Sequence, residues 1–215
     1  MGYFTIKNEV SSEFEEKKSI FIGHAKRVYT DEEARAFVDK IKEEYKDATH
    51  NVYAYIIGEN MGIQRYSDDG EPQGTAGVPV LDVIKKNNVT DVAVVVTRYF
   101  GGILLGKGGL VRAYSKGAAE ALKEGEIVEK VIGCALHITI EYELSGKVQY
   151  TCAQNMWHIE DTEYTDKVKI IILCTLEDAE VIKKEITQIT SGKCEFSEVN
   201  KKYYFRLNNR LIEEV

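Results

Sequence analysis

Hydrophobic residues in the first half of the chain alternate between helical and strand-like spacing. Apolar residues from Ala34 to Tyr45 recur at helical intervals after Thr30, a residue suited to cap a helix, so this pattern predicts a helix over 31–46. The apolar run DVAVVVT at Asp91–Thr97 predicts a strand that is buried on both faces. The same reasoning predicts strands at Ser19–Gly23, Asn51–Ile57 and Gln64–Tyr66, and helices at Val78–Asn87 and Leu110–Gly125.

From Cys134 onward the pattern becomes regular. It predicts a strand at Leu136–Tyr142, a helix at Leu144–Met156, a hairpin of His158–Thr165 with Lys167–Thr175, a helix at Leu176–Ser191 and a strand at Glu195–Leu207. The order βαββαβ is that of the ferredoxin-like arrangement. We therefore predict an α+β protein with two domains, residues 1–133 and 134–215, in which Gly133 supplies the turn between them.

Glycines concentrate between the predicted elements of the first domain. Eleven of the 17 glycines fall between Gly58 and Gly117, and eight of these lie in two segments that read SDDGEPQGTAG (67–77) and TRYFGGILLGKGG (97–109). Glycine destabilises helix and strand interiors by roughly 0.5–1 kcal/mol relative to alanine, so such clusters indicate sharp turns or close approach of a ligand. Acids, bases and free amides lie among these glycines, which favours a binding site, although two structural turns remain an alternative.

The first segment allows two interpretations of its acids. Asp68, Asp69 and Glu71 offer hard oxygen ligands for a divalent cation, but their spacing does not fit an EF-hand loop. Asp and Gly are also strong turn formers, and Asp68 can cap a backbone amide or pair with Arg98. We favour structural pairing and assign no metal.

The second segment resembles a phosphate-binding loop without being one. Gly101, Gly106 and Lys107 have the spacing G-x-x-x-x-G-K, but Gly108 stands where a magnesium-binding hydroxyl is required. A simpler anion site at the amides of Gly108 and Gly109, at the start of the next helix, fits better. A solvated basic helix face is the competing interpretation.

These interpretations yield one set of candidate ligand-binding residues and no identified catalytic residue or cofactor. His50 joins the set because it directly precedes the Val52–Ile57 strand and could point into the glycine-rich site; the alternative is a hydrogen-bonded structural histidine. The set consists of His50, Asp68, Asp69, Glu71, Arg98, Gly101, Gly102, Gly106, Lys107, Gly108, Gly109 and Arg112.

The two segments also resemble the signature of the YigZ/IMPACT family, SDDGEP-x-GTAG followed by RYFGGILLG-x-GGLVRAY, which is matched here from Arg98 to Tyr114. The resemblance implies an N-terminal fold of the ribosomal-protein and elongation-factor type, rich in βαβ units, and a second domain like the last domain of elongation factor G. It further implies a role in translation, since the family's eukaryotic member is a translational regulator. Many family members carry a cysteine where this chain has Val52, which argues against thiol chemistry there.

Charge and composition limit the classes of partner that we expect this protein to bind. The net charge is −7, and residues 1–133 and 134–215 contribute −3 and −4. Neither half is basic, so contact with RNA requires a local cationic patch, and DNA is not expected. The four cysteines form no CxxC pair, and no apolar run or signal peptide indicates a membrane or export. We therefore expect a cytoplasmic protein that binds the ribosome, RNA or a translation-related protein. The alternative is an enzyme or binding protein for a small phosphorylated or anionic ligand at the glycine-rich loops.

Overall fold

The computed structural model describes residues 2–208 and 210–214, which form five helices and eleven strands in two compact units: Tyr3–Val128, and Glu129–Val215 together with Gly2. The elements of the first unit are β1 (Tyr3–Ile6), β2 (Val10–Glu16), β3 (Ser19–Arg27), α1 (Asp31–Glu44), β4 (His50–Ile57), β5 (Ile63–Ser67), α2 (Gly77–Lys86), β6 (Val92–Tyr99) and α3 (Gly106–Glu124). Next come β7 (Ile127–Ile140), α4 (Tyr142–Gln154), β8 (Ile159–Tyr164), β9 (Val168–Thr175), α5 (Leu176–Thr190), β10 (Cys194–Leu207) and β11 (Arg210–Ile212). The predicted α+β fold with two domains is confirmed.

The sheet of the first unit has β6 at its centre, in the order β2-β3-β6-β4-β5 with antiparallel pairing throughout. Successive side chains of a strand point to opposite faces. Val94 and Val96 accordingly pack in the core with α2 and α3, while Ala93 and Val95 pack in the core with α1. The predicted burial of this strand on both faces is confirmed.

Helix α1 begins as predicted, because the Thr30 hydroxyl accepts a hydrogen bond from the Glu33 amide at 3.1 Å. Helix α3 begins at Gly106, four residues before the predicted start at Leu110. The prediction followed apolar periodicity, which the run GKGG lacks. The amides of Gly106, Lys107 and Gly108 therefore form the first turn of this helix, where backbone donors have no partner within the helix.

The second unit follows the predicted βαββαβ order, with strands paired as β10-β7-β9-β8 and β11 added at the edge beside β10. Its core lies between this sheet and helices α4 and α5, and includes Leu136, Ile138, Ile170 and Ile182. The short strand β11 and the strands β1 and β2 were not predicted, because their sequences are short or dominated by polar residues.

The division between the two units, after Val128, falls slightly before the predicted boundary at residue 133. Gly133 makes no turn; it lies inside β7, opposite Lys202 and Thr175. A side chain at this position would place its Cβ 2.7 Å from the Cys174 carbonyl oxygen. Gly133 therefore serves close packing within the second unit.

Within the described ranges, no helix is long and apolar enough to cross a membrane.

Candidate functional site

The two glycine-rich segments are joined by a buried ion pair between Glu71 and Arg98. Arg98 lies near the end of β6 and donates from Nη1 to Glu71 Oε1 at 2.5 Å, and the two residues are only 5% and 8% exposed. Tyr114 on α3 donates its hydroxyl to the same carboxylate oxygen at 2.7 Å. Burial, reinforced by the negative charge of Glu71, raises the pKa of Tyr114, so its hydroxyl stays protonated as a donor. This cluster fastens loop, sheet and helix together.

The guanidinium of Arg98 is held further by aromatic rings and a hydroxyl. It lies 5.5 Å from the Phe21 ring centroid and 5.4 Å from that of Phe100, and Nη2 is 3.5 Å from Ser19 Oγ. Its Nε has no hydrogen-bond partner in the part of the chain that the structure describes. A buried arginine of this kind depends strongly on its one carboxylate partner.

Asp68 binds the backbone of its own loop. Its carboxylate accepts hydrogen bonds from the amides of Gly74, Ala76 and Gly77 at 2.8–3.1 Å, and thereby caps the start of α2. Of the two roles considered for Asp68, capping is the one observed, because the partner of Arg98 is Glu71.

Asp69 and His50 bind each other and the adjacent strand. Asp69 forms an ion pair with Lys42 at 2.6 Å and accepts a hydrogen bond from the Asn51 amide at 2.6 Å. Its carbonyl oxygen lies 2.8 Å from Nδ1 of His50, which must therefore carry the proton. His50 Nε2 lies 3.9 Å from Glu71 Oε1.

The acids of this loop thus face internal partners, and among residues 2–208 and 210–214 no group of three or more metal-ligating side chains is suited to a metal ion.

The second segment begins with a close contact and ends on an exposed surface. The Gly101 amide donates to Ser19 Oγ at 3.2 Å, and a Cβ on Gly101 would lie 1.9 Å from the Lys18 carbonyl oxygen, so no larger residue fits without a shift of the backbone. Beyond this point the chain turns outward. Leu104 is 83% exposed, and Phe100 and Ile103 are exposed by 45% and 42%.

Four exposed cations lie on the chain segments next to these apolar side chains. Lys107 and Arg112 project from the first turns of α3, and Lys17 and Lys18 form the turn between β2 and β3, whose Lys18 carbonyl touches Gly101. All four are exposed, and no ion pair joins them to a carboxylate in the described part of the chain. We call Phe100, Ile103, Leu104, Lys17, Lys18, Lys107 and Arg112 the α3 surface.

The structure therefore divides the candidate residues into two groups. His50, Asp68, Asp69, Glu71 and Arg98 form the internal cluster, whereas Gly106, Lys107, Gly108, Gly109 and Arg112 belong to the start of α3, with Gly101 and Gly102 between them. Sequence reasoning missed Tyr114 as a partner of Glu71, and it missed Lys17 and Lys18. The consecutive lysines, followed by a strand, were the one signal for a basic turn.

The cysteines lie apart from both groups. Cys134, Cys152 and Cys174 are buried in the second unit, and burial raises the pKa of the Cys152 thiol to about 11. A thiol of this kind is a poor nucleophile near neutral pH.

Comparison with known proteins supports the predicted family. Residues 17–122 match the Impact N-terminal domain and residues 138–193 match a domain of unknown function, DUF1949. The chain is 39% identical over 212 residues to the IMPACT family member YvyE of Bacillus subtilis, covering 99% of this chain and 98% of that protein. It is 38% identical over 96 residues to Protein IMPACT of Oryctolagus cuniculus, covering 42% of this chain and 30% of that protein.

A solved structure described as that of a hypothetical protein superposes with a TM-score of 0.59 at 28% identity, covering 94% of this chain and 98% of that one. Both domains match known families, and the similarity to YvyE extends over nearly the full length of the chain. The chain belongs to the IMPACT family.

Proposed function

We propose that the protein is a translation-associated binding or regulatory protein that contacts RNA, the ribosome or a protein partner through the α3 surface. The observation that carries the proposal is the exposure of Leu104 and Phe100 on the same surface as four exposed cations that have no carboxylate partner within the described residues. Exposed apolar side chains that cluster with charged neighbours are typical of interaction sites. The proposal places the protein in the cytoplasm, where translation occurs.

The charge distribution favours RNA as the contact. The chain carries a net charge of −7, yet four cations gather on this one surface. Each cation that contacts a phosphate releases counterions, so binding should weaken steeply with salt. Phe100 offers an exposed ring beside the Arg98 guanidinium, and aromatic rings stack on unpaired bases.

The internal cluster supports binding over catalysis at the glycine-rich loops. Glu71, Asp68 and Asp69 are occupied by Arg98, loop amides and Lys42. A general base needs an oxygen or nitrogen that can reach a substrate proton. These carboxylates act instead as the supports that hold the α3 surface in position.

Cosedimentation with purified ribosomes, and binding of single-stranded RNA at several salt concentrations, test the proposal. The variant Leu104→Ser/Lys107→Ala should weaken both, since it removes the most exposed apolar side chain and one cation. Lys85→Ala/Lys86→Ala is the matched control, because it removes exposed cations from the end of α2.

Ribosome binding that is lost in the first variant while RNA alone does not bind would assign the surface to a protein partner. Absence of ribosome and RNA binding by the wild type, or equal binding by both variants, would refute the proposal.

A further inference from the structure

A cavity of about 360 Å³ lies within the first unit, where the end of β2 meets the first turns of α3. Its volume falls within the range of roughly 300–1,000 Å³ that is usual for small-molecule sites. Phe14, Leu105 and Ala113 supply apolar wall, and Gly109 supplies backbone. None of the carboxylates of the SDDGEP loop lines it.

The polar lining of this cavity is strongly cationic. Lys17, Arg112 and Lys116 line it together with a single carboxylate, Glu16. Three cations against one acid leave an excess of two positive charges. Like charges that share a concave surface repel each other more strongly than on an open surface, because field lines concentrate there.

The protein itself compensates little of this charge. No ion pair within 4 Å joins Glu16 to these cations in the described residues, and the sole carboxylate contact is that of Lys116 with Glu120 at 3.7 Å. Lys116 Nζ lies 4.1 Å from the centre of the Phe14 ring, which fixes the ammonium against the wall of the cavity. A bound anion would relieve the remaining repulsion.

From these observations we propose that the cavity binds a phosphomonoester whose remainder is apolar or aromatic. A phosphomonoester carries close to two negative charges at neutral pH, and its oxygens accept charge-assisted hydrogen bonds from arginine and lysine. Phe14 and Leu105 offer contact to the non-phosphate portion. Both a free small metabolite and the terminal phosphate of an RNA present this chemistry. The inference goes beyond the proposed function, since a small phosphomonoester can bind without any macromolecule.

Isothermal titration of the full chain tests the inference with inorganic phosphate, adenosine 5′-monophosphate, adenosine, and a short single-stranded RNA with or without a 5′-phosphate. Adenosine monophosphate should bind saturably, inorganic phosphate more weakly, and adenosine not at all. Tighter binding of the 5′-phosphorylated RNA than of adenosine monophosphate assigns the source to RNA ends, and the reverse order assigns it to a small metabolite.

Arg112→Ala and Lys116→Ala should each weaken binding of adenosine monophosphate at least about tenfold, because each removes a charged hydrogen bond. Lys17→Gly should do the same and fold normally, since Lys17 has a φ of 47°, which glycine adopts freely. Lys123→Ala, at the far end of the same helix, is the control and should bind like the wild type.

No saturable binding by the wild type, or equal binding by the cavity variants and the Lys123 control, overturns the inference. That result is distinguishable from failure of the proposed function, which is tested with the Leu104→Ser/Lys107→Ala variant and measured on ribosomes and RNA. Ribosome binding that persists without any phosphomonoester binding would overturn this inference alone.

Discussion

Replacing Glu71 with glutamine tests whether the buried ion pair holds the two glycine-rich segments together. The substitution keeps the shape and the hydrogen-bond acceptor but removes the negative charge that faces Arg98. The arginine side chain is only 6% exposed and its Nε already lacks a partner. Breaking a buried pair by removing one partner costs about 3–5 kcal/mol, because the remaining charge is left uncompensated. At about 3–5 °C per kcal/mol for a unit of this size, the melting temperature should fall by roughly 9–25 °C.

Urea unfolding followed by circular dichroism, together with calorimetry, gives the free energy of unfolding. Glu43→Gln is the matched control, because it breaks an exposed ion pair with Lys46 whose side chains are more than 70% exposed. Such a pair contributes about 0–1 kcal/mol. In a double-mutant cycle, Glu71→Gln/Arg98→Met should be less destabilised than the sum of its single variants, by about 2 kcal/mol, because the uncompensated charge is gone. A loss below about 1 kcal/mol in Glu71→Gln, or strict additivity, would refute this account.

Three further predictions concern the stability of the folded protein. Gly101→Ala should lower the free energy of unfolding by more than about 1 kcal/mol, because its Cβ would overlap the Lys18 carbonyl oxygen at 1.9 Å. Gly146→Ala, in open space on α4, should raise the free energy of unfolding by about 0.5–1 kcal/mol, and equal effects of the two substitutions would contradict the packing argument. Asp68→Ala should lower the free energy of unfolding by about 1–3 kcal/mol, because it removes a carboxylate that accepts hydrogen bonds from three amides. Asp82→Ala, at an exposed position, should lower it by less than about 0.5 kcal/mol, and equal losses in urea unfolding would contradict the capping role. Burial, with a smaller contribution from a nearby lysine, lowers the pKa of His24 to about 4, so the unfolded chain binds the proton first and stability should be lost as the pH falls from about 6.5 toward 4. His24→Gln should lack this part of the pH dependence, and a free energy of unfolding that depends on pH in the same way in both proteins would refute the prediction.

Much of the fold could be predicted from local patterns. The run Asp91–Thr97 indicated a strand buried on both faces, and the second unit followed its predicted order of elements. Both succeeded because periodicity of 2.0 or 3.6 residues directly reflects which faces are buried. Strand β2 was missed because only every second residue of VSSEFEE is partly buried and most of its side chains are polar.

The roles of the candidate residues were less predictable. The motifs drew attention to Asp68, Glu71 and Arg98, but the pairing of these residues depends on partners far apart in the chain. Glu71 and Arg98 are separated by 27 positions, and Tyr114 reaches the same oxygen from 43 positions away. Sequence spacing carries no information on such distances until the sheet brings β6 beside the loop.

By itself, the sequence determined the family, the two-domain α+β architecture and the location of the glycine-rich loops, because these depend on motif content and local hydrophobic periodicity. Only the tertiary structure decided which charges are buried and which remain exposed. It turned the acids of the SDDGEP loop inward to Arg98, Lys42 and backbone amides, and it brought Lys17 from a distant turn beside Arg112. The physical reason is that burial and electrostatic pairing depend on distances in space, which are set by sheet pairing and helix packing rather than by neighbouring residues in the chain.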